Sequence, residues 1–260
     1  VNKNHIALGH FGDTGVKITP TLKEDGADIQ VETLVEGEGT VAVELLDAEG
    51  STVAKGEGAK TSLHLDAPHL WNGVKDPYLY TCIVRLLQDG KPVDEVTTKV
   101  GIRSFSVDAK KGFFLNGKPY PLHGVSRHQD RKGLGNAITR EMHDEDMALI
   151  RELGANTVRL AHYQHAQYFY DLCDQYGMVV WAEIPYISEH LPNGRENTIS
   201  QMKELIIQNY NHPSVVMWGI FSRLWMRGDD VTPYLRRLND TAHEISPRTM
   251  SAYQIPFASA

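Results

Sequence analysis

Asn209-Tyr210-Asn211-His212-Pro213-Ser214-Val215-Val216-Met217-Trp218-Gly219-Ile220-Phe221-Ser222-Arg223 is the stretch whose reading decides the fold. A polar turn, Asn211-His212-Pro213-Ser214, leads into the apolar run Val215-Val216-Met217-Trp218. Four residues are too few for a helix, and an uninterrupted apolar run between turn signals reads as a strand buried on both faces. The loops after such strands build the catalytic face of a (β/α)8 barrel. Ser222 and Arg223 are therefore expected in a loop of that kind.

On either side of this strand, strands and helices alternate. Upstream, Asn116-Gly117 marks a hairpin, followed by a strand over Tyr120–Gly124. Met147, Ile150 and Leu153 form one helical face, with Gly154 placed to end that helix. Thr157–Ala161 is a second strand, Gln167–Tyr176 a second helix closed by Gly177, and Met178–Ile184 a third strand. Thr198 and Gln201 have capping-box spacing ahead of Ile199, Met202, Leu205 and Ile206. Downstream, Thr232-Pro233 reads as an N-cap with proline at the first helical position, and Thr249–Tyr253 as a fifth strand. Alternating βα units imply a parallel sheet. A complete eight-fold barrel needs about 250 residues and only about 145 remain after the hairpin, so the expectation is a partial barrel of about four βα units.

Before Lys110-Lys111-Gly112 the period is two. Ile29, Val31, Thr33 and Val35 alternate with Gln30, Glu32 and Leu34, and Val41, Val43 and Leu45 with Ala42, Glu44 and Leu46. Further strands at Ser62–Leu65, Leu79–Leu87 and Val93–Ser106 bring the count to six or seven, as in an immunoglobulin-like β-sandwich. The expected division is a sandwich over residues 1–108 and a partial TIM barrel over 109–260.

A hydrophobic fraction of 41% suffices for packed cores, and a net charge of −7 without long single-sign runs argues against nucleic acid or an anionic membrane as partner. Cys82 and Cys173 fall in different expected domains, so no disulfide is expected and the compartment stays undecided. No apolar run approaches 18 residues and no basic-then-apolar leader opens the chain, which argues against a membrane span or a retained signal peptide. The opening Val1 fits an internal fragment or a processed chain.

Three long patterns carry a resemblance. Asn211-His212-Pro213-Ser214-Val215-Val216-Met217-Trp218-Gly219-Ile220 resembles the acid/base signature of the family 2 glycoside hydrolases of β-galactosidase type. Leu122-His123-Gly124-Val125-Ser126-Arg127-His128-Gln129-Asp130 is similar to that family's first barrel strand and loop. Asn156-Thr157-Val158-Arg159-Leu160-Ala161-His162-Tyr163, continuing through Phe169-Tyr170-Asp171-Leu172-Cys173-Asp174, is similar to its other signature. Leu70-Trp71, Pro77-Tyr78-Leu79-Tyr80 and Gly101-Ile102-Arg103 resemble the family's sandwich domain.

The resemblance implies a retaining glycosidase acting on terminal β-galactosides, with His128, Arg159 and His162 lining the sugar pocket; from the residues themselves, Trp218 is expected to join them by stacking its ring on an apolar sugar face. Each of these three polar residues, taken alone, reads equally as a scaffold contact; together, at strand ends, they read as a pocket. The family's acid/base motif ends Gly-Asn-Glu, where this sequence has Phe221-Ser222-Arg223. Retention needs two carboxyl groups about 5–5.5 Å apart, one of them protonated. Arg223 at the acid position cannot supply a proton, and Ser222 stands where the family has Asn. The family's nucleophile comes from a later strand. Glu183 and Glu189 are the nearest carboxylates, Glu183 matching a structural position. Ala161 and Gln164 depart from the Ser and Pro that flank His-Tyr in the family.

The alternative is a catalytically inactive sugar-binding or structural fragment, associating as a homo-oligomer or with a complementing chain because the sheet edges of a half-barrel invite pairing. A divalent cation near the pocket is implied by the resemblance only, through acidic residues without a match here, and His162-x-x-His165 lacks a third ligand at metal spacing. Arg227-Gly228-Asp229 and the sequon Asn239-Asp240-Thr241 are short enough to occur by chance.

Overall fold

Ile29 and Val31, Val41, Val43 and Leu45, and Cys82, Val84 and Leu86 are buried, while the residues between them face outward. Period-two burial of this kind joins two sheets through one core. The computed structural model describes residues 3–225, 230–247 and 250–254, which form two compact units. The first comprises Val1–Pro121 with Asp174–Gly177 and Tyr210–Pro213.

Its strands are β1 (His5–Ile6), β2 (Val16–Lys23), β3 (Gly26–Thr33), β4 (Val35–Glu36), β5 (Thr40–Leu46), β6 (Thr52–Glu57), β7 (Lys60–Leu65), β8 (Tyr80–Gln88), β9 (Lys91–Val100), β10 (Phe105–Asp108), β11 (Gly112–Leu115) and β12 (Lys118–Pro119). The sandwich consists of an antiparallel sheet in the order β2-β3-β7 and another in the order β6-β5-β8-β9. Their number fits the expected six or seven, but only β3, β5, β7, β8 and β9 fall near the strands that the sequence names; β2 and β6 carry little apolar alternation of their own. β10, β11 and β12 form a separate small sheet, with Asn116 and Gly117 in the left-handed conformations that the hairpin turn requires.

The turn residues of the signature stretch belong to this unit. Asn211 Oδ1 accepts from the Ile18 N–H and Asn211 Nδ2 donates to Val16 O, both at 2.8 Å. Pro213 lies so close to Gly101 that a Cβ there would sit 2.6 Å from the ring, and Arg103 Nε donates to Pro213 O at 2.9 Å. His212 Nδ1 is 2.6 Å from Asp174 Oδ2, and the buried Trp71 Nε1 donates to Asp174 O at 2.9 Å. Asn211-His212-Pro213 is thus a structural element.

The second unit alternates strand and helix: β13 (Gly124–Arg127), α1 (Arg140–Glu152), β14 (Thr157–Leu160), α2 (Gln167–Tyr176), β15 (Val179–Glu183), β16 (Ile187–Glu189), α3 (Arg195–Gln208), β17 (Val215–Trp225), α4 (Thr232–Ile245) and β18 (Met250–Gln254). All pairings in its sheet are parallel, in the order β13-β14-β15-β17-β18, with β16 also on β17. This is the partial TIM barrel. Val158, Leu160, Val180, Ala182 and Trp218 are buried on one face, toward helices that bury Met147, Phe169, Met202 and Leu238. The register places Ser126, Arg159, Trp181 and Met217 side by side on the other face.

Five local expectations change. β17 runs eleven residues, so Ser222 and Arg223 lie within a strand and not in a loop; β16 and β18 supply ladder partners there, and Ile220, Phe221 and Leu224 are buried. β13 begins at Gly124, and Pro121, within the expected strand, has no N–H for a ladder. Leu153 caps α1 and is exposed, while Gly154 takes the left-handed conformation that ends the helix. α3 starts at Arg195 after a 3-10 turn at Pro192–Gly194, and Thr198 Oγ1 donates back to Gly194 O at 3.0 Å instead of capping. α4 starts at Thr232 with Val231 as its N-cap. Residues 226–229, with the Arg-Gly-Asp tripeptide, lie outside the described residues, as does Thr249 at the head of the expected fifth strand.

Candidate functional site

Arg159 is the next-to-last residue of β14 and Glu183 the last of β15, and both project from the face opposite the helices. Their side chains meet as a fork on a carboxylate: Arg159 Nε donates to Glu183 Oε1 at 2.6 Å and Nη2 to Oε2 at 3.0 Å. Two parallel charge-assisted bonds fix both orientation and distance. Glu183 is almost fully buried and Arg159 keeps a side-chain exposure of 17%. One edge of the guanidinium therefore reaches solvent.

His162, three residues beyond Arg159 and in the loop that follows β14, closes the array. Its Nδ1 is 3.2 Å from Arg159 Nη2 and 3.1 Å from Glu183 Oε2, so its tautomer decides whether it accepts from the guanidinium or donates to the carboxylate. Burial lowers its pKa; Arg159 adds to the lowering and Glu183 opposes it. Ser222 on β17 is buried, and its Oγ lies 3.4 Å from Arg159 Nη2 while its N–H donates to Tyr186 O at 2.9 Å. The exposed His128 stands edge-on to His162 with ring centroids 5.3 Å apart.

Gly219 makes the array possible. It is in register with Glu183, and a Cβ there would lie 2.5 Å from both Glu183 Cγ and Trp181 Nε1. The Trp181 ring stacks below the guanidinium, 5.2 Å from Arg159 Cζ, and its buried N–H has no hydrogen-bond partner among the described residues. Neither residue stood out in the sequence. The parity of β15 could have found Trp181, since it is two residues before Glu183 and must share its face.

Of the residues expected at a sugar site, His128, Arg159 and His162 come together, with Ser222 behind them. Trp218 does not join them. It is 1% exposed and in register with Ala182, on the helix side of the sheet, so it has no surface to offer a sugar ring. Arg223 is exposed, with φ at 50°, in the left-handed region uncommon for side-chain-bearing residues. Glu189 is exposed on β16. The Arg159 guanidinium already neutralises Glu183 and sets a fixed positive charge in the array, so the array does not fit the divalent ion that the resemblance implies, which takes several oxygen ligands clear of a competing cation. His165 has both ring nitrogens engaged, by Arg127 and by Ala161 O, and so has no lone pair for a metal shared with His162.

Comparison with known proteins gives the array a family. The family model for glycosyl hydrolases family 2 matches residues 10–103, and that for the TIM barrel domain of the same family matches residues 106–223. A β-glucuronidase of Bacteroides fragilis is 43% identical over 234 residues, covering 81% of this chain and 33% of the relative. A putative β-glucuronidase of Formosa agariphila is 36% identical over 255 residues, covering 90% of this chain and 31% of the relative. Among solved structures, a putative β-galactosidase from Bacteroides fragilis superposes with a TM-score of 0.95 at 36% identity, covering 98% of this chain and 41% of that one. The chain thus spans about a third of the length of the curated relatives it matches. With both domain models matched in order, the chain belongs to glycosyl hydrolases family 2.

Proposed function

We propose that this chain binds the sugar of a β-glucuronide at the open face of its parallel sheet, through His128, Arg159 and His162, with Glu183 and Ser222 holding Arg159 in place. The observation that carries this reading is the forked Arg159–Glu183 pair with His162 against it, near the C-terminal ends of β14 and β15. Such strand ends carry function in barrel proteins, and a guanidinium with neighbouring imidazoles offers the donors and mixed donor/acceptor groups that sugar hydroxyls need. The names of the two curated relatives favour a β-glucuronide. The solved structure described as a putative β-galactosidase supports a β-galactoside as the second reading.

For the whole protein the reading extends to hydrolysis with retention, which takes two carboxyl groups about 5–5.5 Å apart and passes through a covalent glycosyl-enzyme. At the position that the resemblance gives to the general acid, this chain has Arg223, and a guanidinium has no proton to give near neutral pH. Binding without cleavage is therefore the activity proposed for the chain alone. The test is incubation with 4-nitrophenyl β-glucuronide and 4-nitrophenyl β-galactoside, whose good leaving group hardly needs an acid. Saturable binding with no release of nitrophenol above a buffer blank is expected. Steady release that survives further purification contradicts the inactive reading, and absence of binding for both sugars contradicts the site.

A further inference from the structure

Behind the open face, on the helix side of the same sheet, a second polar cluster is built around one buried arginine. Arg127 on β13 is 6% exposed. Its Nε and Nη2 donate to Asp146 Oδ2 on α1 at 3.0 and 2.8 Å, Nη2 also reaches His143 Nδ1 at 2.9 Å, and Nη1 reaches His165 Nδ1 at 2.9 Å. The guanidinium carbon lies 3.8 Å from the centre of the Phe169 ring on α2. One side chain thus ties β13 to α1, to α2 and to the segment between β14 and α2.

A guanidinium has donors only. Each imidazole must therefore meet it with the lone pair of Nδ1, which makes both rings neutral with the proton on Nε2. His165 uses that proton, donating from Nε2 to Ala161 O at 2.9 Å, and the Ala161 N–H donates to Arg127 O at 3.0 Å. Arg127, His165 and Ala161 are thereby closed into a ring of hydrogen bonds. The next residue after Arg127 is His128, and the next after Ala161 is His162.

We propose that Arg127, His143 and His165 form a positioning clamp for His128 and His162, and that a proton on either buried imidazole releases it. What the clamp does for sugar rests on the reading given above; the clamp itself does not. A proton on Nδ1 would set one N–H against another at hydrogen-bond distance and one cation against a second, turning the contact repulsive. Asp144 and Asp146 from α1 face His143 and favour its protonation, whereas Arg127 and Arg131 oppose it. His165 faces Arg127, His128 and His143, and Tyr163 and Cys173 also lie near the guanidinium. Burial is the largest influence and lowers both imidazoles, His165 to about 4. The clamp is closed at neutral pH and opens in acid.

The experiment is a series of proton–nitrogen correlation spectra of the histidine side chains in the full chain, from pH 8 to pH 4. His143 and His165 are expected as neutral Nε2–H tautomers at pH 8, and the signals of His128 and His162 are expected to respond when His165 takes its proton. Arg127→Lys keeps the charge and loses the fork, so it should move the His128 and His162 signals at neutral pH and weaken β-glucuronide binding about tenfold. His165→Gln can still accept from Arg127 and donate to Ala161 O but takes no proton, and should abolish the acid shift of the His128 and His162 signals. Titration of His143 or His165 near 6.5, or His128 and His162 signals that ignore the His165 transition, would overturn the proposal. The wild-type titration decides it even if Arg127→Lys fails to fold. If no sugar binds at all, the sugar site falls, and the coupling of the histidine signals still decides the clamp.

Discussion

Replacing Gly219 by alanine adds one methyl group to the middle of the array. The new Cβ would lie 2.5 Å from Glu183 Cγ and 2.5 Å from Trp181 Nε1. Ordinary carbon contacts are about 3.5–4.0 Å, so the overlap is roughly 1 Å on two sides at once. Neither neighbour is a free chain end: Glu183 is held by both oxygens on Arg159, and the Trp181 ring lies against the same guanidinium. Overpacking of this kind costs about 1–3 kcal/mol. Because φ at Gly219 is not positive, alanine also recovers about 0.5–1 kcal/mol by restricting the unfolded chain. The net expectation is a loss of about 1–2 kcal/mol, read as a fall of about 0.5–1 M in the urea midpoint for a slope near 2 kcal/mol per M. Gly194→Ala is the control, since its Cβ would meet only Leu191 at an ordinary 3.5 Å. A Gly219→Ala midpoint equal to or above wild type refutes the tight layer of Glu183, Trp181 and Gly219.

Acid should destabilise the second unit before its carboxylates titrate. His165 has a folded pKa of about 4, below its unfolded value near 6.5, so its contribution is complete above pH 6.5 and is lost as pH falls toward 4. The full drop corresponds to about 3 kcal/mol, checked by urea midpoints at pH 7 and pH 4.5, and His165→Gln should flatten the dependence. In the first unit, Asn211→Ala removes two hydrogen bonds to β2 and should cost about 2 kcal/mol, whereas Asn211→Asp keeps the acceptor for Ile18 and should cost less. Equal midpoints for the two variants would contradict this. Light scattering at micromolar concentration should find dimers or larger species. Among the described residues β13 is paired on one side only, and Leu122, Leu149 and Leu153 of the same unit are exposed. A sharp monomer would contradict that expectation.

Strong periodicity was legible and weak periodicity was not. Val158 and Leu160, or Ile199, Met202, Leu205 and Ile206, announce their elements because burial of one face demands that spacing. β2 and β6 were missed because their alternating positions are filled by Thr, Pro, Lys and Gly, and their pairing is set by the neighbours β3 and β5. Element ends moved wherever a backbone partner outside the local sequence decided them, as with β16 and β18 extending β17. That Arg159, His162 and His128 come together is legible in the sequence, because the strand ends that carry them are. The side taken by Trp218 is not legible, because an apolar run does not reveal which face each residue takes; the register does, by setting Trp218 beside Ala182. The burial of Arg127 is not legible in the sequence, because an arginine beside a histidine reads as surface and only the fold encloses it.

The most direct test of the sugar site is a calorimetric titration of the chain with 4-nitrophenyl β-glucuronide, run beside the Arg159→Lys variant. A lysine ammonium is a point charge that cannot fork onto Glu183 and present a further edge to a sugar. Saturable heat for the wild type, with affinity about tenfold weaker in Arg159→Lys, is the predicted result. No binding by the wild type, or equal affinity in the two proteins, would contradict it.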